Sequence, residues 1–170
     1  MLNSPTQNLY CTCTEFLEQE NEQRLLTLKQ LGLARYADFL TQMPLTQANV
    51  ACLMRFIKNS SRVKFPDLRK AELSGLILDG VNFIRGDLSG ANLSGSRLVN
   101  ADLIFADFTG ADLRGADLRG ATLNETIWLD TLVDQCHFGT GIGLTHQQRR
   151  ELQVRGAKFD QLGLDILPLL

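Results

Sequence analysis

Much of what would mark an enzyme, a membrane protein or a nucleic-acid binder is missing from this chain. No apolar run reaches the ~18 residues that a membrane-spanning helix needs. The opening stretch MLNSPTQNLYCTCTEF lacks the basic and apolar regions of a secretory leader, so the expected location is cytoplasmic. Neither sign of charge dominates: 17 Lys and Arg stand against 19 Asp and Glu, a formal net charge of −2. That balance gives no general pull toward nucleic acid or anionic membrane, and any partner must be selected locally. Histidine is scarce, and both examples, His137 and His146, stand apart from any carboxylate or nucleophile at a catalytic spacing.

Cysteine is scarce too. Cys11 and Cys13 form a lone C-x-C, and a four-ligand zinc site would have to recruit Cys52, Cys136 or a histidine from far along the chain. Reduced, scattered thiols are the simpler reading, so neither metal nor cofactor is expected. The run GTGIGLT, just before a helical stretch, suggests a phosphate loop, yet Leu144 stands where a dinucleotide fingerprint needs Gly, and no Lys precedes the Thr. It reads as a flexible exit loop, and the chain as a non-enzyme.

What the sequence does have is a period of five. From Pro66 to Thr140 it divides without insertion into fifteen units: PDLRK, AELSG, LILDG, VNFIR, GDLSG, ANLSG, SRLVN, ADLIF, ADFTG, ADLRG, ADLRG, ATLNE, TIWLD, TLVDQ and CHFGT. The third residue is Leu or Phe in thirteen of them, and the first is most often Ala. A helix would turn about 500° per unit and smear the apolar positions around its axis, so the chain must instead turn a corner in every unit.

These units resemble the pentapeptide-repeat family, whose consensus is A-[D/N]-L-x-x. The resemblance implies a mainly β solenoid: a right-handed, four-sided β-helix of nearly four coils, each unit forming one side and its turn. Central residues such as Leu88, Leu93, Leu98 and Leu103 then stack inward, while Ala91, Ala101 and Ala106 fill inner corners. Asp or Asn in second place favours the turn by bonding nearby backbone, and Gly in fifth place relaxes its φ restriction. Residues twenty apart should lie above one another at about 4.8 Å, giving a rod of roughly 18 Å.

Flanking segments read as caps, which a solenoid needs at its apolar ends. Residues 1–65 carry no five-residue pattern. Tyr36, Phe39, Leu40 and Met43, then Val50, Leu53, Met54 and Ile57, follow helical spacing, with Thr46 as a candidate N-cap after Pro44. A longer helix is predicted from about Glu15 to Leu31, stopped by Gly32. Residues 141–170 are expected to hold a capping helix, with Thr145 and Gln148 spaced as a capping box and Gly156 as its stop. GAKFD then sounds like one more unit out of frame, an interruption familiar among cyanobacterial members of the family. The apolar tail LGLDILPLL is a candidate surface for a homodimer.

Stacking by twenty defines the candidate binding surfaces. Asp67, Asp87 and Asp107 fall in one outward column, whose like charges need relief from turn hydrogen bonds or from a partner. Ile84, Ile104 and Phe105 occupy outward places that are normally polar, and form an apolar strip, either a docking site or a surface covered by the N-terminal helices. The expected function is a non-enzymatic protein-interaction scaffold with an unidentified protein partner and no direct contact to nucleic acid. The alternative that the resemblance offers is a DNA mimic acting on a type II topoisomerase. Its charge is interrupted here by Arg97, Arg114 and Arg119.

Overall fold

The computed structural model describes residues 4–61 and 63–161. The apolar stretch 162–170, and with it the expected self-association surface, lies outside the described residues.

The five-residue frame holds in every unit from Pro66 to Thr140: the second residue makes a bridge to a neighbouring coil and the fourth and fifth form the turn. Bridges are parallel and pair residues twenty apart, such as Asp67 with Asp87 and Asp102 with Thr122, so four units close one coil. Each side contributes too few residues for a long strand, and the sheets exist only as columns through successive coils. Two kinds of backbone bond hold them. Along a column, Leu88 N–H donates to Asp107 O at 2.8 Å and Asp107 N–H donates down to Gly86 O at 2.9 Å. Within a turn, Ala91 N–H donates to Leu88 O at 3.0 Å.

That turn sets the composition of the fifth place. From Lys70 to Gln135 every fifth residue has positive φ, half of them Gly. The others, among them Arg85 at 54° and Phe105 at 59°, carry a side chain in a region that favours glycine. Inside, the third residues are buried along the whole prism and the first residues fill its corners. Where the first residue is Ser96, Thr126 or Thr131, its hydroxyl donates to a backbone carbonyl, so the buried oxygen is satisfied. Gly86 replaces the usual Ala because a Cβ there would lie 2.9 Å from Phe83 O and 3.3 Å from Pro66 Cγ.

Helices close the first coil. They are α1 (Pro5–Glu18), α2 (Asn21–Gln30), a turn of 3₁₀ helix (Ala34–Tyr36) leading into α3 (Ala37–Leu40), and α4 (Gln47–Lys58). The expected helix over residues 15–31 is therefore two helices, and the first starts ten residues earlier, with Ser4 accepting from Gln7 N–H and Pro5 in the first turn. Gln19 and Glu20 are extended, and the guanidinium of Arg24 fills the break, donating to the carbonyls of Leu17, Gln19, Thr41 and Met43. Gly32, at φ 70°, ends α2 as the sequence suggests.

The helices meet the exposed edge of the first coil with matching bonds. Asn49 of α4 donates to Glu72 O at 2.9 Å and accepts from Glu72 N–H at 2.8 Å, in the manner of a neighbouring coil. Gln42 donates to Ile77 O and Arg55 to Arg69 O. Phe39 and Phe83 meet edge to face at 5.1 Å, joining the helical core to the interior of the prism.

At the far end, α5 (His146–Val154) opens on the expected capping box, with Thr145 N–H donating to Gln148 Oε1 at 3.0 Å and Gln148 N–H to Thr145 Oγ1 at 3.1 Å. The chain then returns to the prism. Lys158, not Ala157, takes the bridging second place opposite His137, so the final unit is AKFDQ, one residue later than GAKFD. Its Phe159 stacks on Phe138 at 5.1 Å.

Candidate functional site

Outward polar side chains of the prism are largely spoken for by the chain itself. In nine units the second residue, Asp67, Glu72, Asn82, Asp87, Asn92, Asp102, Asp107, Asp112 or Asp117, accepts from the N–H two residues on. This bond fixes the turn and explains the abundance of Asp without any catalytic pair.

Arginine in the fourth place adds a second hold. Arg69, Arg114 and Arg119 each make a two-pronged contact with the carboxylate of their own unit, on Asp67, Asp112 and Asp117, with shortest separations of 2.6 to 2.7 Å. Arg97 shows the rule by breaking it. It occupies the second place, where it cannot accept, and Asp79 from the coil below takes over the bond to Val99 N–H at 3.0 Å while also holding the Arg97 guanidinium.

The column Asp67, Asp87, Asp107 is relieved in this way. Asp67 is bound by Arg69 and by Arg55, Asp87 by the N–H and hydroxyl of Ser89, and Asp107 by Thr109 N–H. Arg85 plays no part; its guanidinium sits between the rings of Phe65 and Phe105, at 5.7 and 4.6 Å.

Hydrogen bonds from the neighbouring arginines hold Asp67, Asp79, Asp112 and Asp117 below the usual carboxylate range. Groups with a depressed folded pKa contribute stability above their unfolded value, near ~3.9 for Asp, and lose it as pH falls toward the folded one. The thermal midpoint should therefore hold steady from about pH 7 to about pH 5 and fall below about pH 4. Melts followed by circular dichroism check this, and a midpoint that rose on acidification would contradict it.

Of the apolar outward residues, Phe105 meets the Arg85 guanidinium, and among the described residues no contact of that kind is made by Ile84 or Ile104. Ile84 and Ile104 are half-buried and Phe105 is exposed. The hydrogen bonds and ring contacts between the N-terminal helices and the prism run to residues 67–83, at its end, and not to these three side chains. A larger apolar surface lies in the last coil, and the sequence reading missed it. Ile127 and Leu132 occupy second places, nine of which elsewhere hold a turn-forming Asp, Glu or Asn, and Leu129 follows on the same side as Ile127. All three are exposed, Leu129 at 62%, and Val154 of α5 is exposed at 87%. Ile127, Leu129 and Val154 line a cleft of about 810 Å³ between this side and α5, floored by Trp128 and edged by Arg150, Glu151 and Arg155. The signal was present in TIWLD and TLVDQ, where an aliphatic residue replaces Asp or Asn.

Cys13, Cys52 and Cys136 are buried and Cys11 is exposed. Burial pushes the Cys13 and Cys52 thiols up to about 12 and raises Cys136 as well, so these three are inert packing residues. Among the described residues no group of His, Cys, Asp and Glu is placed to hold a metal ion, and no helix is long and apolar enough to cross a membrane.

A filled solenoid whose polar surface is internally paired is a structural class suited to display. Residues 87–124 match the family model of pentapeptide repeats, with eight copies. Residues 87–124 of this chain are thus a run of pentapeptide repeats. Among solved structures it is similar to a pentapeptide repeat protein from the cyanobacterium Cyanothece 51142, at 37% identity over 41% of this chain and 52% of that one, with a TM-score of 0.32. It is similar also to HetL, a pentapeptide repeat protein involved in heterocyst differentiation regulation in the cyanobacterium Nostoc sp. strain PCC 7120, at 24% identity over 44% of this chain and 45% of that one, with a TM-score of 0.37. A third is a pentapeptide repeat protein of the Arabidopsis thaliana thylakoid lumen, at 25% identity over 57% of this chain and 81% of that one, with a TM-score of 0.34. The chain spans about half the length of the first two. No curated protein matches it.

Proposed function

We propose that this chain is a non-enzymatic protein-interaction scaffold, with residues 66–140 as a rigid display prism between a helical cap, 1–65, and a second cap, 141–170. The observation that carries the reading is the contrast just described: the polar residues in the second places are paired within the chain, whereas a set of apolar outward side chains is left facing solvent beside a cleft. The docking surface we propose comprises Ile127, Leu129 and Val154 around that cleft, together with the strip of Ile84, Ile104 and Phe105. Asp67, Asp87 and Asp107 frame it with charge that sets orientation more than affinity. Mimicry of DNA is the weaker reading, because Arg69, Arg97, Arg114 and Arg119 neutralise the carboxylates that would imitate phosphates.

Two double variants test it. Ile127→Ser with Leu129→Ser removes exposed groups, so the thermal midpoint should stay near wild type while recovery of a partner from native extract falls sharply, since apolar anchors can contribute ~2 kcal/mol each. Ile84→Ser with Ile104→Ser removes half-buried groups, and should cost stability on the scale of about 0.8 kcal/mol per buried methylene as well as recovery. A partner retained at wild-type level by both variants would refute the proposed surface.

A further inference from the structure

The connection from α4 into the first coil carries a charge that the near-zero total conceals. Residues 55–70 hold six of the 17 Lys and Arg and one of the 19 Asp and Glu, leaving 11 basic against 18 acidic residues elsewhere. In the structure this segment lines a cleft of about 380 Å³ between the end of α4 and the first coil. Arg55, Lys64 and Arg69 are on its walls with Phe65, and Asp67 is the one carboxylate among its lining residues. Asp67 is already engaged, by the two prongs of Arg69 and by Arg55 Nε at 3.2 Å. Three cations against one anion leave the cleft positive, at the foot of a side whose next two coils carry Asp87 and Asp107.

We propose that this cleft docks a short acidic segment of a protein partner, its Asp and Glu side chains meeting Arg55, Lys64 and Arg69 and an apolar neighbour resting on exposed Phe65. Charge complementarity selects the occupant. A nucleic-acid strand fits less well. Asp87 and Asp107 stand directly above Asp67 on the same side, so a phosphate chain leaving the cleft in that direction would meet carboxylates. The Phe65 ring already faces the Arg85 guanidinium at 5.7 Å, so it is a poor base-stacking platform. A short carboxylate-bearing run needs no long basic track, and its apolar neighbour needs only part of the exposed Phe65 side chain. The proposal goes beyond the scaffold reading, and its residues are distinct from those of the apolar cleft, so either can fail alone.

Fluorescence anisotropy on the full chain tests it, with labelled oligo-glutamate as probe and oligo-lysine and oligothymidylate as comparisons. Oligo-glutamate should bind at low ionic strength, oligo-lysine should not, and the affinity should fall roughly tenfold or more as salt is raised. Lys64→Glu, at an exposed residue that lines the cleft, should weaken binding by about tenfold or more at an unchanged thermal midpoint. If that variant melts early, Lys64→Gln in the same assay carries the test, and should weaken binding by a smaller factor. Absence of oligo-glutamate binding at low salt, binding indifferent to these substitutions, or tighter binding of oligothymidylate would each overturn the proposal.

Discussion

Leu98→Asp should abolish cooperative folding. Leu98 is fully buried at the centre of its unit, in the column of Leu78, Leu118 and Phe138, and its N–H donates to Asp117 O at 2.8 Å. A carboxylate there would have no water and no cation within the packed interior, and the idealised loss is several kcal/mol, comparable to the whole stability of a domain. Escape by rotation is closed, because the backbone on each side is bonded to the coils above and below. Loss of the cooperative thermal transition, followed by circular dichroism, is the expected result. A midpoint equal to wild type would mean that the third place does not point inward, and the frame would fail with it.

Arg24→Met should be nearly as damaging, but to one end of the molecule. The arginine is 8% exposed and its guanidinium donates to four backbone carbonyls, those of Leu17 and Gln19 at the end of α1 and those of Thr41 and Met43 after α3. Methionine keeps most of the volume and supplies no donor, so the carbonyls lose their partners at a cost of about 3 kcal/mol or more. Lysine cannot replace the planar fork, so Arg24→Lys should recover little. Urea denaturation should show the helical cap melting before the prism, as an early phase absent from wild type. A single transition at the wild-type midpoint would show that the break between α1 and α2 is held by other contacts.

The two variants probe parts that differed in how far the sequence disclosed them. The prism was legible because its geometry repeats: inward Leu98, corner Ala101 and turn-forming Asp102 occupy the places that the period assigns, and each is found there. The relief of the aspartate column was legible in kind, since short acceptors favour turns, though the exchange between Arg97 and Asp79 requires knowing which residues stack. The cap was less legible. Nothing in Gln19 and Glu20 announces a break, because the cause is Arg24 reaching carbonyls up to nineteen residues away. Ser4 and Pro5 carry an N-cap and first-turn signal for the start of α1, which the expected start at about Glu15 overlooked. The apolar cleft was hidden for a different reason: Ile127 and Leu129 look like ordinary repeat variation until α5 is laid beside them. The basic segment was written plainly in residues 55–70 and masked by a net charge of −2.

The twenty-residue coil also fixes an angle. The basic cleft is built on the side that holds Asp67 and Arg69, and the apolar cleft on the side that holds Ile127 and Leu129, sixty residues later and hence on the same face. Removing or adding one five-residue unit between them would swing one cleft a quarter turn away from the other, whereas removing or adding four would change their separation by about 4.8 Å and keep them aligned. Evolution of such an array is thereby ratcheted: gains and losses of whole coils lengthen or shorten a two-point ruler, and any other change in unit number rotates its marks out of line.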